Sequence, residues 1–104
     1  MTDPKQPLTS SEISDAGLTG WKQVEDTITA QFSTGDFATG LTFVNRIGDS
    51  AEAADHHPDI TLTYPSVAIT LTSHDVGGIT SRDVNLARTI TEHAAALGIS
   101  TDES

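Results

Sequence analysis

One stretch constrains this fold more than any other: Ile-Thr-Leu-Thr-Tyr-Pro-Ser-Val-Ala-Ile-Thr-Leu-Thr, residues 60–72. Ile60, Leu62 and Tyr64 alternate with Thr61 and Thr63. After Pro65-Ser66, Val67, Ile69 and Leu71 repeat the alternation. A two-residue period sends successive side chains to opposite faces, so each half reads as a half-buried strand. Strands joined by so short a link pair antiparallel. Proline suits the first central position of a type I turn but not the positive φ of the common two-residue hairpin turns. A loop longer than two residues is therefore expected. An isolated hairpin is only marginally stable in water, so the rest of the chain must supply more strands and a cover.

It does so with a second copy of the same pattern. Thr27 to Phe32 alternates Ile28, Ala30 and Phe32 with threonine and glutamine. Trp21 to Val24 is its expected partner, with a turn near Glu25 and Asp26. Between the hairpins the period changes. Phe37, Leu41, Val44, Ile47 and Ala51 are three or four residues apart and predict one apolar helical stripe, with Asp36 as N-cap. After the second hairpin, Leu86, Ile90, Ala94 and Leu97 predict another helix. Thr80 caps it, Asp83 approximates a capping box, and Gly98 stops it. A short helix is expected before the first strand, capped by Ser10 or Ser11, with Ile13 and Ala16 inside and Gly17 at its end.

The order α-β-β-α-β-β-α gives an α+β domain: a four-stranded antiparallel sheet with helices packed on one face. The chain of 104 residues fits one such domain. Residues 1–7 read as a disordered arm, 8–98 as the domain and 99–104 as a disordered tail. With no cysteine, disulfides and thiolate chemistry are excluded. A net charge of −10 repels phosphate backbones and anionic membranes, so neither nucleic acid nor membrane is an expected partner. No apolar run approaches the ~20 residues of a membrane span, and the start lacks a signal peptide, so a cytoplasmic location is expected.

Three of the four histidines, His56, His57 and His74, fall between Ala51 and Asp75. Metal binding is one reading, since imidazole suits several transition metals. Adjacent histidines diverge in a strand and stand about 100° apart in a helix, which makes a poor chelate. Acid–base chemistry is the second, because imidazole both takes and gives protons near neutral pH. His56 or His57 at the helix-to-strand junction, and His74 at the end of the last strand, can meet one substrate across a shallow pocket. Asp83 is placed to orient His74. The bland readings make Asp83 a capping residue and Asp55 and Asp59 loop residues around a helix end, and let His74 face water with Thr70 and Thr72. His93, on the outer part of the last helix, is expected to have no partner.

The gapped pattern decides among these. Glu52, three residues, His56-His57-Pro58, five residues, Tyr64, nine residues, His74, eight residues, Asp83 resembles the signature of the pterin-4a-carbinolamine dehydratases. The segments DHHPD, ITLTSHDVGGIT and SRDVNLARTI are similar to those of that family, and the likeness spans about residues 8 to 97. It implies dehydration of a 4a-hydroxytetrahydropterin to the quinonoid dihydropterin, with no metal and no bound cofactor. It implies His56, His57 and His74 as catalytic residues, Asp55, Ser73 and Asp83 as orienting or pocket residues, and Glu52 at the pocket rim. It further implies a pterin substrate, a homodimer or homotetramer, and an indirect link to an aromatic amino-acid hydroxylase. The alternative is a non-catalytic module on the same fold, serving a protein partner or a molybdopterin-related role. Ile60 stands where some members carry tryptophan, and Pro65-Ser66 replaces a common Asn-Lys turn.

Overall fold

In the computed structural model, which describes residues 6–101, the first helix α1 (Ser10–Asp15) is capped one residue before the expected Ser10. Thr9 is the N-cap, and it forms a capping box with Glu12 in which each side chain accepts from the other's backbone N–H. The expected Ser10 and Ser11 lie inside the helix instead.

The sheet joins β1 (Lys22–Val24), β2 (Thr27–Ser33), β3 (Asp59–Thr63) and β4 (Ser66–Leu71) in the order β1-β2-β4-β3, antiparallel throughout. Register follows the apolar parity. Ile28 pairs with Leu71, Ala30 with Ile69 and Phe32 with Val67, and all six are buried. This places the apolar face toward the helices and the threonines on the other side. Trp21, Phe32 and Phe43 form an edge-to-face chain, with centroid separations of 6.2 and 5.0 Å.

The loop between β3 and β4 is shorter than expected. Thr63 pairs with Ser66, so only Tyr64 and Pro65 lie between the strands. The Tyr64–Pro65 peptide is cis, which puts proline at the second central position of a type VI turn rather than the first. The C-terminus also departs from expectation. Ile99 is in the core, and β5 (Ser100–Thr101) pairs with Phe32 and Ser33 of β2. The expected tail therefore does not begin at 99. Its residues 102–104 lie outside the described residues, as do 1–5 of the expected arm.

Helix α2 (Phe37–Ala54) begins at Asp36, whose Oδ1 accepts from the backbone N–H of Thr39 at 2.6 Å. That backbone bond, reinforced by the Thr39 side chain, holds the Asp36 carboxyl below its usual range. The buried stripe of α2 is Gly40, Phe43, Ile47 and Ala51. Of the expected stripe, Phe37 and Leu41 are instead 49% and 47% exposed. The two stripes share Ile47 and Ala51 and part only over the first turns, where both satisfy three-or-four spacing, so periodicity alone does not choose between them. Gly40 decides. A Cβ there would lie 2.7 Å from Leu62 Cδ1, so the glycine face is the one that closes on the sheet.

Helix α3 (Ser81–Ala96) buries Asp83, Val84, Leu86, Ala87, Ile90 and Ala94, and packs beside α2. Among the described residues, no helix is long and apolar enough to cross a membrane.

Candidate active site

The last turn of α2 builds the site. Asp55 adopts the left-handed conformation, φ 51° and ψ 44°, which costs most side chains about 1–2 kcal/mol but is tolerated by aspartate. The turn brings the His56 N–H onto the carbonyl of Ala51 at 3.1 Å. From there the chain runs extended toward β3, and neighbouring side chains part. His56 goes in, with its side chain 10% exposed, and His57 goes out, at 58%. Asp55 remains at the surface.

His56 ends on a buried carboxylate. Its Nε2 is 2.6 Å from Asp83 Oδ1. Asp83 Oδ2 accepts from the Ser73 hydroxyl at 2.8 Å and from the Thr80 backbone N–H at 2.9 Å. Asp83 is fully buried, as is Thr80, and Ser73 is nearly so. A carboxylate is an acceptor, so His56 Nε2 carries the hydrogen, and neutral His56 keeps its lone pair on Nδ1. The network continues with a definite direction. The Ser73 proton goes to Asp83, so the Thr80 hydroxyl donates to Ser73 at 2.9 Å and accepts from Arg82 Nε at 3.2 Å. Arg82 Nη2 in turn donates to Asp75 at 2.7 Å. Aligned bonds of this kind polarise one another in a dry interior. Among the described residues, no buried side-chain polar atom lacks a partner.

Asp83 thus serves His56, whereas the sequence alone pointed it at His74. The reason is parity. Ser73 is inward and nearly fully buried, so His74, the next residue, points outward and is exposed. His74 lines a depression of about 360 Å³ with the β1–β2 turn, Val24 to Thr27, and Thr72 and Gly77. His56 lines a separate cavity of about 260 Å³ between α2 and α3, with Ser50, Ala54, Arg82, Asn85, Leu86 and Thr89. His57 Nε2 is hydrogen-bonded to Glu52, both at the surface. The structure thus unites His56, Ser73 and Asp83 directly and pairs His57 with Glu52. His74 joins the first group through the backbone of Ser73. Among the described residues, no three His, Asp or Glu side chains are grouped as a metal site.

The sequence-family model described as Pterin 4 alpha carbinolamine dehydratase matches residues 6–93. This chain belongs to that family. A protein of Thermosynechococcus vestitus assigned by name to the pterin-4-alpha-carbinolamine dehydratases is 48% identical over 79 residues, 76% of this chain and 83% of that one. A Halobacterium salinarum protein with the same assignment is 38% identical over 81 residues, 78% of this chain and 89% of its own. The solved structure of a transcriptional coactivator/pterin dehydratase from Brucella melitensis has a TM-score of 0.82 at 35% identity, covering 86% of this chain and 99% of that one. A pterin dehydratase-like RuBisCO assembly factor of the alpha-carboxysome shares the fold, at TM-score 0.60 and 19% identity.

Within the dehydratase family's motif, Tyr64 sits at the hairpin tip, 70% exposed. Two groups escaped the sequence analysis. Thr80 was read only as a cap, yet its hydroxyl links Arg82 to Ser73. The capping box was the available signal, because the same Asp83 that caps α3 holds His56. His93 was expected to lack a partner, but its Nε2 is 2.7 Å from Ser50 Oγ. That contact depends on how α2 and α3 pack, and no local pattern announces it.

Proposed function

We propose that this protein dehydrates a 4a-hydroxytetrahydropterin to the quinonoid dihydropterin by histidine acid–base catalysis. The observation that carries the proposal is the buried Asp83 carboxylate. It ties His56, from one histidine segment, to Ser73, the neighbour of His74 in the other. Two proton-transfer groups at one end of one hairpin are what the reaction requires. A base removes the N5 proton, and the N5 electron pair forms the C4a=N5 bond. The C4a–O bond breaks as the hydroxyl is protonated and leaves as water. Neutral imidazole serves the first task and imidazolium the second. His56, His57 and His74 form the catalytic set, Asp83 and Ser73 position His56, and Asp55 and Glu52 flank the entry. An aromatic amino-acid hydroxylase is the class of enzyme that would supply the substrate.

The test uses 4a-hydroxytetrahydropterin generated in situ by a phenylalanine hydroxylase, with absorbance reporting the quinonoid product. The wild-type protein is expected to accelerate dehydration above the uncatalysed rate. A folded protein that leaves that rate unchanged would instead favour a non-catalytic binding module.

We also propose that the protein assembles as a dimer or tetramer. Support comes from the exposed Phe37 and Leu41 on the outer face of α2 and from β3 at the edge of the sheet. Sedimentation at micromolar concentration is expected to show the oligomer, and Phe37→Glu with Leu41→Glu to shift it toward monomer. A wild-type monomer would end this proposal.

A further inference from the structure

Two residues flank His74, and each is tied to the start of α3. Ser73, before it, donates to Asp83 at 2.8 Å and is bonded to the Thr80 hydroxyl at 2.9 Å. Asp75, after it, accepts from Arg82 Nη2 at 2.7 Å. His74 itself is exposed, so its place is set by the segment that carries it. That segment is a loop over residues 74–77. Its base is closed by Ser73 and Gly78, whose N–H groups donate to each other's carbonyls at 2.9 and 3.3 Å. Gly77 turns the chain at φ 65°, a conformation that most side chains resist. Backbone bonds therefore fix the base of the loop, and Asp75 anchors its tip to Arg82.

The guanidinium of Arg82 spans two partners. Its Nε donates to the buried Thr80 hydroxyl at 3.2 Å, and its Nη2 donates to Asp75. The side chains of Arg82 and Asp75 are 26% and 45% exposed. An ion pair this exposed contributes little to stability, because water and salt screen it. Its value lies in direction. The Thr80 bond holds one edge of the planar fork, so the other edge fixes Asp75 in orientation as well as in distance. Arg82 also lines the cavity that holds His56, and its neighbour Asp83 holds the His56 ring. The first turn of α3 is thus a common frame for two histidines that line different cavities.

We propose, resting on the dehydratase reading, that Arg82 is the positioning residue of His74 and acts through Asp75. Asp83 sets the His56 ring, Arg82 sets the His74 loop, and their adjacency on one helical turn fixes the separation of the two imidazoles. Neither Arg82 nor Asp75 touches the substrate in this arrangement. A misplacement of about 1 Å can cost ~10²-fold in rate, so a pair that matters little to stability matters greatly to turnover.

The test compares wild type with Asp75→Ala, Arg82→Met, the double variant and Asp75→Glu. The dehydration assay gives kcat and KM, and amide relaxation by NMR gives the backbone order of residues 74–77. Each single variant is expected to lower kcat about 10–100-fold, with KM within about threefold of wild type and a melting temperature within a few degrees of it. Order parameters over 74–77 are expected to fall from about 0.85 to below about 0.6. The double variant is expected to be no slower than the slower single one, because both changes cut the same tether. Asp75→Glu keeps the carboxylate and is expected to recover kcat to within about fivefold of wild type. A double variant slowed by the product of the two single losses would place Arg82 on the substrate rather than behind Asp75, and would overturn the proposal. So would a loop that stays ordered in both single variants, or a kcat that neither of them changes; the dehydratase reading would survive each of these results. An inactive wild type would remove that reading, and the relaxation data would then decide whether Arg82 holds the His74 loop.

Discussion

Asp83→Ala is expected to lower the melting temperature by more than about 10 °C. The substitution removes the acceptor of three buried donors at once: His56 Nε2, the Ser73 hydroxyl and the Thr80 backbone N–H. Leaving a buried donor without its acceptor typically costs about 1–3 kcal/mol, and here three are left at once. Domains of this size are stable by only about 5–15 kcal/mol, and each kcal/mol moves the melting point by several degrees. Asp83→Asn separates folding from catalysis. An asparagine still offers one oxygen to Ser73 and Thr80, but it turns an NH₂ toward His56. That donor forces His56 to accept at Nε2 and to carry its hydrogen on Nδ1, the wrong nitrogen for taking a proton there. Asp83→Asn is expected to melt well above the alanine variant and to lose ~10²-fold or more in kcat. Calorimetry and the dehydration assay on the same preparations decide it. An active asparagine variant would show that the tautomer of His56 does not matter to turnover.

His56→Ala and His74→Ala are each expected to lose about 10²–10⁴-fold in kcat while remaining folded, the usual worth of one proton-transfer group. His57→Ala belongs in the same series, because His57 is held by Glu52 at the mouth of the same segment. The comparison has a structural edge. His56 and His74 line different cavities, one between α2 and α3 and the other against the β1–β2 turn. A loss at His74 with none at His56 would move the chemistry to the second cavity. Losses at both support one substrate spanning the end of the hairpin. Circular dichroism must accompany His56→Ala, since that change also empties a partner of the buried Asp83.

Much of the fold could be read without coordinates, because its signals are local. The alternation in Ile28, Ala30 and Phe32 and in Val67, Ile69 and Leu71 chose the inner face of both hairpins. Asp36 and Thr80 marked the starts of the long helices. Errors arose where two local solutions were equally good. The stripe through Phe37 and Leu41 has the same spacing as the buried one through Gly40 and Phe43, and only contact with Leu62 separates them. Proline at 65 excluded the common hairpin turns, and the chain met that restriction with a cis peptide rather than a longer loop.

The site divides the same way. Sequence by itself determined the family: the spacing from Glu52 to Asp83 carries its signature. The partnerships of the site residues were decided only by tertiary structure. Asp83 sits one helical turn from its cap and nine residues from His74, yet its carboxylate goes to His56, because strand parity turns Ser73 inward and His74 outward. Ser50 and His93, 43 residues apart in the chain, meet because α2 and α3 pack side by side. A hydrogen bond is a matter of about 3 Å and a direction, and sequence spacing specifies neither once the partners lie on different elements.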